Sequence, residues 1–327
     1  MIMLMIQRNQ LIDFLRGFAI LVMILTHTTV FFPHDTTAST LWNWSHFAVP
    51  IFLFCSTYLV LQKSSNGPLK LFSYLKKRFL RLLIPYYIFL FFYLVCLLFL
   101  TPKVLTINYI LQSIFLIGGV DINWLVLLFL YLAVLMPLFT RYIQKSSLLF
   151  WTFFILSFAS TCVLLFYSPT ISYKWIMWLP WSVMLYITVF FIKFEQKKKV
   201  LFAFLCLSLL IFIFTYFLQT SLHHSIILIN NKYPPNLFYL SFGISVLTAL
   251  TPFVRPIMQN KMIVYIFNFF SLFSYQIYFI HYLILTVLSA FIKQLHLTWF
   301  TFFLSVLWLT VMAQFILTHL KKISSKV

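Results

Sequence analysis

Acidic residues are nearly missing from this 327-residue chain: there are four, Asp13, Asp35, Asp121 and Glu195. Charged residues of both signs make up only 8%, against about 25% in a typical soluble domain. A water-facing surface cannot be assembled from so few, which excludes a soluble globular protein. Glycine and cysteine are also scarce, at five and four, so collagen-like and disulfide-scaffold classes fall too. Cys55, Cys96, Cys162 and Cys206 stand singly in apolar runs, with no metal-ligand spacing, and read as packing residues. Disorder needs low hydrophobicity, whereas 63% of this chain is hydrophobic and 21% aromatic.

What the chain has is long apolar runs. A helix crossing the hydrocarbon layer needs about 20 such residues. Ten segments qualify, near 10–32, 46–62, 82–100, 122–140, 147–167, 175–193, 200–219, 236–254, 273–292 and 298–320. They are continuous, unlike the roughly ten-residue alternating strands of an outer-membrane barrel. The expected fold is all-α: a polytopic integral membrane helical bundle of about ten transmembrane helices. Ten spans use roughly 200 residues, so a single domain over 1–327 is expected, with the bundle at 10–320 and a tail at 321–327. The weaker run 104–120, VLTINYILQSIFLIGGV, precedes Asp121 and reads as an interfacial or re-entrant helix. The first span carries Arg16 and His27 and no small-residue cleavage site follows it, so it reads as a span and not a cleaved signal.

The basic residues orient the chain. With the N-terminus in the cytoplasm, eighteen Lys and Arg fall inside, in groups such as Lys76–Arg81 and Lys197–Lys199. Four fall outside: Lys103, Lys174, Lys232 and Lys293. This positive-inside bias predicts two cytoplasmic termini. It also accounts for the net charge of +19 through anionic lipid headgroups and topology, not nucleic acid. The expected address is a cell membrane, plasma or inner, crossed many times.

Ionisable residues inside a span are costly and are functional candidates. The first span holds Asp13, Arg16 and His27; the ninth holds His281. Arg16 and His27 are eleven residues apart, about 20° off three full turns and so facing the same way, and about 16 Å apart along the axis. Asp13 is one turn before Arg16 and is placed to pair with it. A blander account also exists: Arg16 snorkels to the headgroups, and His27 hydrogen-bonds a carbonyl. Arg78 and Arg81 share one face at the mouth of the third span. They read either as a bidentate phosphate clamp or as ordinary inside charge.

Several segments together resemble the membrane acyltransferase-3 family. IDFLRGFAILVMILTH, Ile12–His27, is similar to its opening signature of an Asp, an Arg-Gly pair, an apolar run and a His. Then follow, in the family's order, FAVPIFLFCSTYLV (Phe47–Val60), KKRFLRLLIPYY (Lys76–Tyr87), NWLVLLFLYL (Asn123–Leu132), KYPPNLFYLSFG (Lys232–Gly243) and SLFSYQIYFIH (Ser271–His281). The resemblance spans essentially the whole chain and is to the stand-alone form, without a fused SGNH hydrolase domain. Two departures stand out: Ser56-Thr57 replaces the usual Ser-Gly of the second span, and the proline pattern after the basic segment is reduced to Pro85.

The resemblance implies an acyltransferase that moves an acyl group, commonly acetyl, from cytoplasmic acyl-CoA to a hydroxyl of an envelope carbohydrate or lipid-linked sugar. Acyl-CoA is then a donor substrate; no tightly bound cofactor and no metal are expected. His27 becomes the general base, with Arg16 and Asp13 positioning the donor arm and Arg78 and Arg81 holding the coenzyme's phosphates. Any partner that orients His27 has to come from another span. Asn123, Trp124, Tyr131, Ser274, Tyr278 and His281 are the candidate supporting residues, Asn123, Tyr131, Ser274 and Tyr278 being also candidate oxyanion donors. The alternative from another class is a transporter or flippase of a lipid-linked sugar or small solute, which would show inverted repeats and broken helices.

Overall fold

The computed structural model describes residues 9–64 and 71–324, with side chains as far as residue 320. Arg8, Lys70 and Lys326 of the charge tally lie outside the described residues, as do residues 325–327 of the tail and the side chains of Lys321 and Lys322.

The described chain forms helices α1 Gln10–Thr29, α2 Thr36–Trp44, α3 Ala48–Ser64, α4 Leu71–Leu100, α5 Ile107–Ile114, α6 Asn123–Leu138 and α7 Ser147–Val163. There follow α8 Tyr173–Ile176, α9 Trp178–Trp181, α10 Val183–Phe194, α11 Lys198–Ser221, α12 Leu237–Ile257, α13 Lys261–Ser289 and α14 Trp299–Ser324. No named strand occurs among the described residues. Their starts obey capping chemistry: Asn9, Asp35, Ser146 and Asn260 accept hydrogen bonds from backbone N–H groups of the first turns of α1, α2, α7 and α13.

Each of the ten apolar segments lies on helix. Among the described residues, eight helices are long and apolar enough to cross a membrane, the second being α2 and α3 together over Thr36–Ser64. The fifth and sixth segments fall on the shorter apolar helices Ser147–Val163 and Trp178–Phe194. The weak run 104–120 contains only the eight-residue α5. At 1.5 Å per residue that is about 12 Å, well short of a hydrocarbon core of about 30 Å. Large apolar side chains such as Phe72, Phe99 and Leu148 are exposed, as befits a surface that meets acyl chains and not water.

Two compact units divide the chain. The first comprises the described residues up to Ala48, Pro85–Ile110 and those from Phe253 onward; the second comprises Val49–Ile84 and Leu111–Pro252. In the first, α1 packs chiefly on α13, with α2 and α14 beside it. Gly17 makes the approach of α1 to α13 feasible, since a Cβ there would stand 2.8 Å from the backbone oxygen of Phe267. The Arg-Gly pair of the first span thus puts a charge and a backbone contact side by side. Gln314 Nε2 donates to Gln276 Oε1 at 2.9 Å and ties α14 to α13.

The second unit is joined by hydroxyl pairs. Thr57 meets Thr188 at 2.7 Å, Ser157 meets Ser182 at 2.6 Å, and Ser245 donates to Ser208 at 3.0 Å. Lipid offers no hydrophobic drive between helices, so small polar contacts of this kind hold them. Thr57, one half of the Ser56-Thr57 departure, therefore links α3 to α10 through its hydroxyl.

Candidate active site

The first unit brings Asp13, Arg16, His27, Ser274, Tyr278 and His281 onto one helix pair, α1 and α13. On α13, Ser271, Ser274, Tyr278 and His281 follow at three- and four-residue steps and so share a face. The two helices run parallel. Ser271 Oγ donates to Asp13 Oδ1 at 2.7 Å near one end, and His27 Nδ1 lies 2.9 Å from His281 Nε2 near the other.

The hydrogen bonds of His281 fix the protons of both rings. His281 Nδ1 is 2.9 Å from the carbonyl oxygen of Ile277, one turn earlier. A carbonyl only accepts, so Nδ1 carries the hydrogen and the neutral ring leaves Nε2 with a lone pair. Across the 2.9 Å contact the donor must then be His27 Nδ1–H. That tautomer leaves the lone pair of His27 on Nε2. The rings lie near-parallel, with centroids 5.2 Å apart. Tyr278 and Tyr282 flank His27 at 6.4 and 5.9 Å between centroids. His281 is fully buried; His27 is only half-buried. The pair thus has a buried anchor and a partly open ring.

Asp13 is 5% exposed and Arg16, one turn on, is half-buried. The serine that donates to Asp13 comes from another span, a partner the sequence reading did not name. Ser274 is half-buried on the shared face of α13, and Tyr278 is buried there.

In the second unit Arg78 turns inward. Its Nη2 donates to Ser56 Oγ at 2.6 Å, while Arg81, one turn on, is exposed. Arg78 Nε is buried without a hydrogen-bond partner, and the buried hydroxyl of Tyr74 stands against the Arg78 guanidinium and interacts with it. Ser56 stood out in the sequence only as part of the Ser56-Thr57 departure and not as a partner of Arg78, and Tyr74 did not stand out; the four-residue step from Tyr74 to Arg78 was the available signal.

Asn123 and Trp124 open α6 in a different place. Asn123 is fully buried; its Nδ2 donates to the Gly118 carbonyl and its Oδ1 accepts from Lys174 Nζ. Lys232 Nζ lies 4.8 Å from the Trp124 ring centroid and 5.0 Å from that of Tyr233. Burial lowers Lys174 to about 8, against a smaller raising effect of Asp121, and lowers Lys232 to about 7. Two of the four lysines counted outside are therefore buried structural groups. Tyr131 lies half-buried further along α6.

The model of the acyltransferase-3 family, described as an acyltransferase domain, matches residues 9–319. No curated protein and no solved structure matches the chain. The match covers nearly every helix and both units, and it favours an enzyme over the transporter alternative. A multi-pass membrane chain with a histidine pair between parallel helices, matched along almost its full length, belongs to the acyltransferase-3 family and is an acyltransferase.

Proposed function

We propose that the chain transfers an acyl group, acetyl first among candidates, from acyl-CoA to a hydroxyl of an envelope carbohydrate or lipid-linked sugar, and that it does so in the plasma or inner membrane of the cell. The observation that carries this reading is the directed bond from His27 Nδ1–H to His281 Nε2. A general base needs a lone pair where the acceptor's proton is, and this bond leaves it on Nε2.

His27 Nε2 takes the hydroxyl proton as the acceptor oxygen attacks the thioester carbonyl. A tetrahedral oxyanion forms; its collapse breaks the carbon–sulfur bond and releases the coenzyme thiolate. The imidazolium returns the proton to that sulfur, which leaves an ester and free coenzyme A. While His27 is charged, both ring nitrogens are donors, and Nδ1–H keeps its acceptor in His281 Nε2. Tyr278, the flanking tyrosine on the shared face, is the preferred oxyanion donor of this scheme. Asp13 and Arg16 position the donor arm.

The coenzyme's phosphates are assigned to Arg78, with Arg81 and Tyr74 as further donors. A buried guanidinium N–H without a partner is costly, and a phosphate oxygen satisfies it with a charge-assisted bond. Arg78 Nε supports the assignment for that reason.

The test is transfer from labelled acetyl-CoA to a membrane glycan fraction by the full chain in proteoliposomes. General-base catalysis is worth about 10²–10⁴ in rate. His27→Ala is expected to lose that much and to keep wild-type donor affinity. Wild-type transfer by His27→Ala would overturn the mechanism.

A further inference from the structure

The second unit holds a cavity of its own. An open cavity of about 530 Å³ lies among the segments 164–173, 219–225 and 230–236. None of the described residues lining it is Asp, Glu, Lys or Arg. Its walls are amides, hydroxyls and aromatic faces, with the rings of Tyr173 and Tyr233 5.1 Å apart.

The wall has buried acceptor capacity to spare. Gln219 is 1% exposed. Its Nε2 reaches the Leu165 carbonyl at 3.5 Å, and its Oε1 is buried with no partner. His224 Nδ1 is 3.0 Å from the same carbonyl. That contact requires Nδ1–H and leaves Nε2 as an acceptor. The amide donors of the 230–231 turn are largely turned to the chain itself. Asn231 Nδ2 gives both its hydrogens to backbone oxygens of Ser225 and Ile227, and Asn230 Nδ2 binds Ser225 Oγ. A cavity with no Asp, Glu, Lys or Arg in its lining, its nearest ammonium Lys232 Nζ lying 5.0 Å from the Tyr233 ring centroid, and with unspent acceptors calls for a ligand that brings several hydroxyl donors and no charge. An ammonium ligand would want a carboxylate, and an acid would want a cation; the lining has neither.

We infer that this cavity binds a neutral carbohydrate, with Gln219 Oε1 accepting a sugar hydroxyl and the Tyr173–Tyr233 pair offering apolar ring faces. The inference rests on the proposed function in taking that sugar as part of the acyl acceptor. The cavity needs no contribution from the histidine pair, so its binding is measured without turnover.

The probes are an uncharged glucose tetramer, an uncharged N-acetylglucosamine tetramer and an acidic glucuronic acid tetramer, titrated against the full chain in nanodiscs. At least one neutral tetramer is expected to bind, and the acidic one more weakly. Gln219→Leu keeps the shape and removes the acceptor, so it is expected to weaken binding about three- to tenfold. Ser168→Trp places bulk on an exposed residue at the rim. It is expected to abolish binding with an unchanged melting temperature, which separates blockage from misfolding. His27→Ala is expected to bind as wild type. The inference fails if neither neutral tetramer binds, if the acidic one binds best, or if both cavity variants bind like wild type. Neutral binding that meets these expectations, in a protein that transfers no acyl group from any acyl-CoA, upholds the cavity and sinks the proposed reaction alone.

Discussion

In the proposed mechanism the His281 contact sets which nitrogen of His27 keeps the lone pair, so removing His281 is expected to change the base and not merely the packing. His281→Ala leaves His27 Nδ1 without its acceptor and releases the ring to the other tautomer. Transfer is expected to fall by roughly 10², and His281→Gln, whose amide oxygen can accept the same hydrogen, is expected to recover part of it. Equal rates in the two variants would mean that His281 only fills space. At Arg78, loss of the guanidinium is expected to raise the KM for acyl-CoA while kcat changes little, because phosphate contacts are the same in ground and transition states. Unchanged KM in Arg78→Ala would reduce this arginine to a topology signal. Lys232 supplies a pH effect. Its folded-state value is about 7 against about 10.4 unfolded. Below pH 7 both states are charged, and the folded one bears the full cost of the buried ammonium. Between the two values the unfolded state holds more protons, so stability rises with pH. Melting temperature is expected to climb from about pH 7 toward pH 10 and to lose that slope in Lys232→Met; parallel slopes would contradict it. The residues legible in the sequence were ionisable groups inside apolar runs, such as Asp13, Arg16, His27 and His281. Ser271, Tyr74 and Gln219 were not, because an ordinary polar residue in a helix gains meaning only from what another helix sets opposite it.

The helix pair α1 and α13 is the element on which the histidine bond depends. Two hydrogen-bonded pairs fix its register, Asp13 with Ser271 and His27 with His281. On α1, Gly17 lies between Asp13 and His27 and faces the Phe267 backbone of α13, where a Cβ would stand 2.8 Å from its oxygen. Gly17→Ala adds one carbon where the obstacle is a backbone oxygen, not a side chain that can rotate away. Overpacking of this kind costs about 1–3 kcal/mol. The variant is expected to melt lower and to lose transfer, since the helices must separate to admit the methyl. Wild-type melting and transfer would show that the contact is not tight in solution. Sequence periodicity found α1 and α13 as spans but not as partners, since residues 258 apart in sequence carry no spacing signal. It found the α5 region too, as a run too weak to span, and the eight-residue helix agrees.

For the whole molecule, the parallel course of α1 and α13 bears on topology. Helices that run the same way through a bilayer are separated by an even number of steps in the order of spans. With ten spans α1 is the first and α13 the ninth, which meets that requirement. A crossing at 104–120 would make α13 the tenth and reverse it, so the hydrogen-bonded pairs at the two ends of the helix pair argue against such a crossing. The shorter helices Ser147–Val163 and Trp178–Phe194 must then cross together or not at all. At 17 residues each is about 26 Å long, a modest mismatch that a thinned bilayer accommodates. The charge bias predicts which of the two absolute orientations holds, the one with both termini in the cytoplasm. Single-cysteine labelling of intact cells with an impermeant maleimide tests this. Lys103→Cys and Lys293→Cys are expected to react from outside; Lys145→Cys and Lys197→Cys are expected to react only after permeabilisation. Reaction of Lys145→Cys from outside would mean that the chain re-crosses before α6, and the parity argument would fail. Lack of outside reaction at Lys293→Cys, with Lys103→Cys reactive, would put the fault after α6, at the two shorter helices.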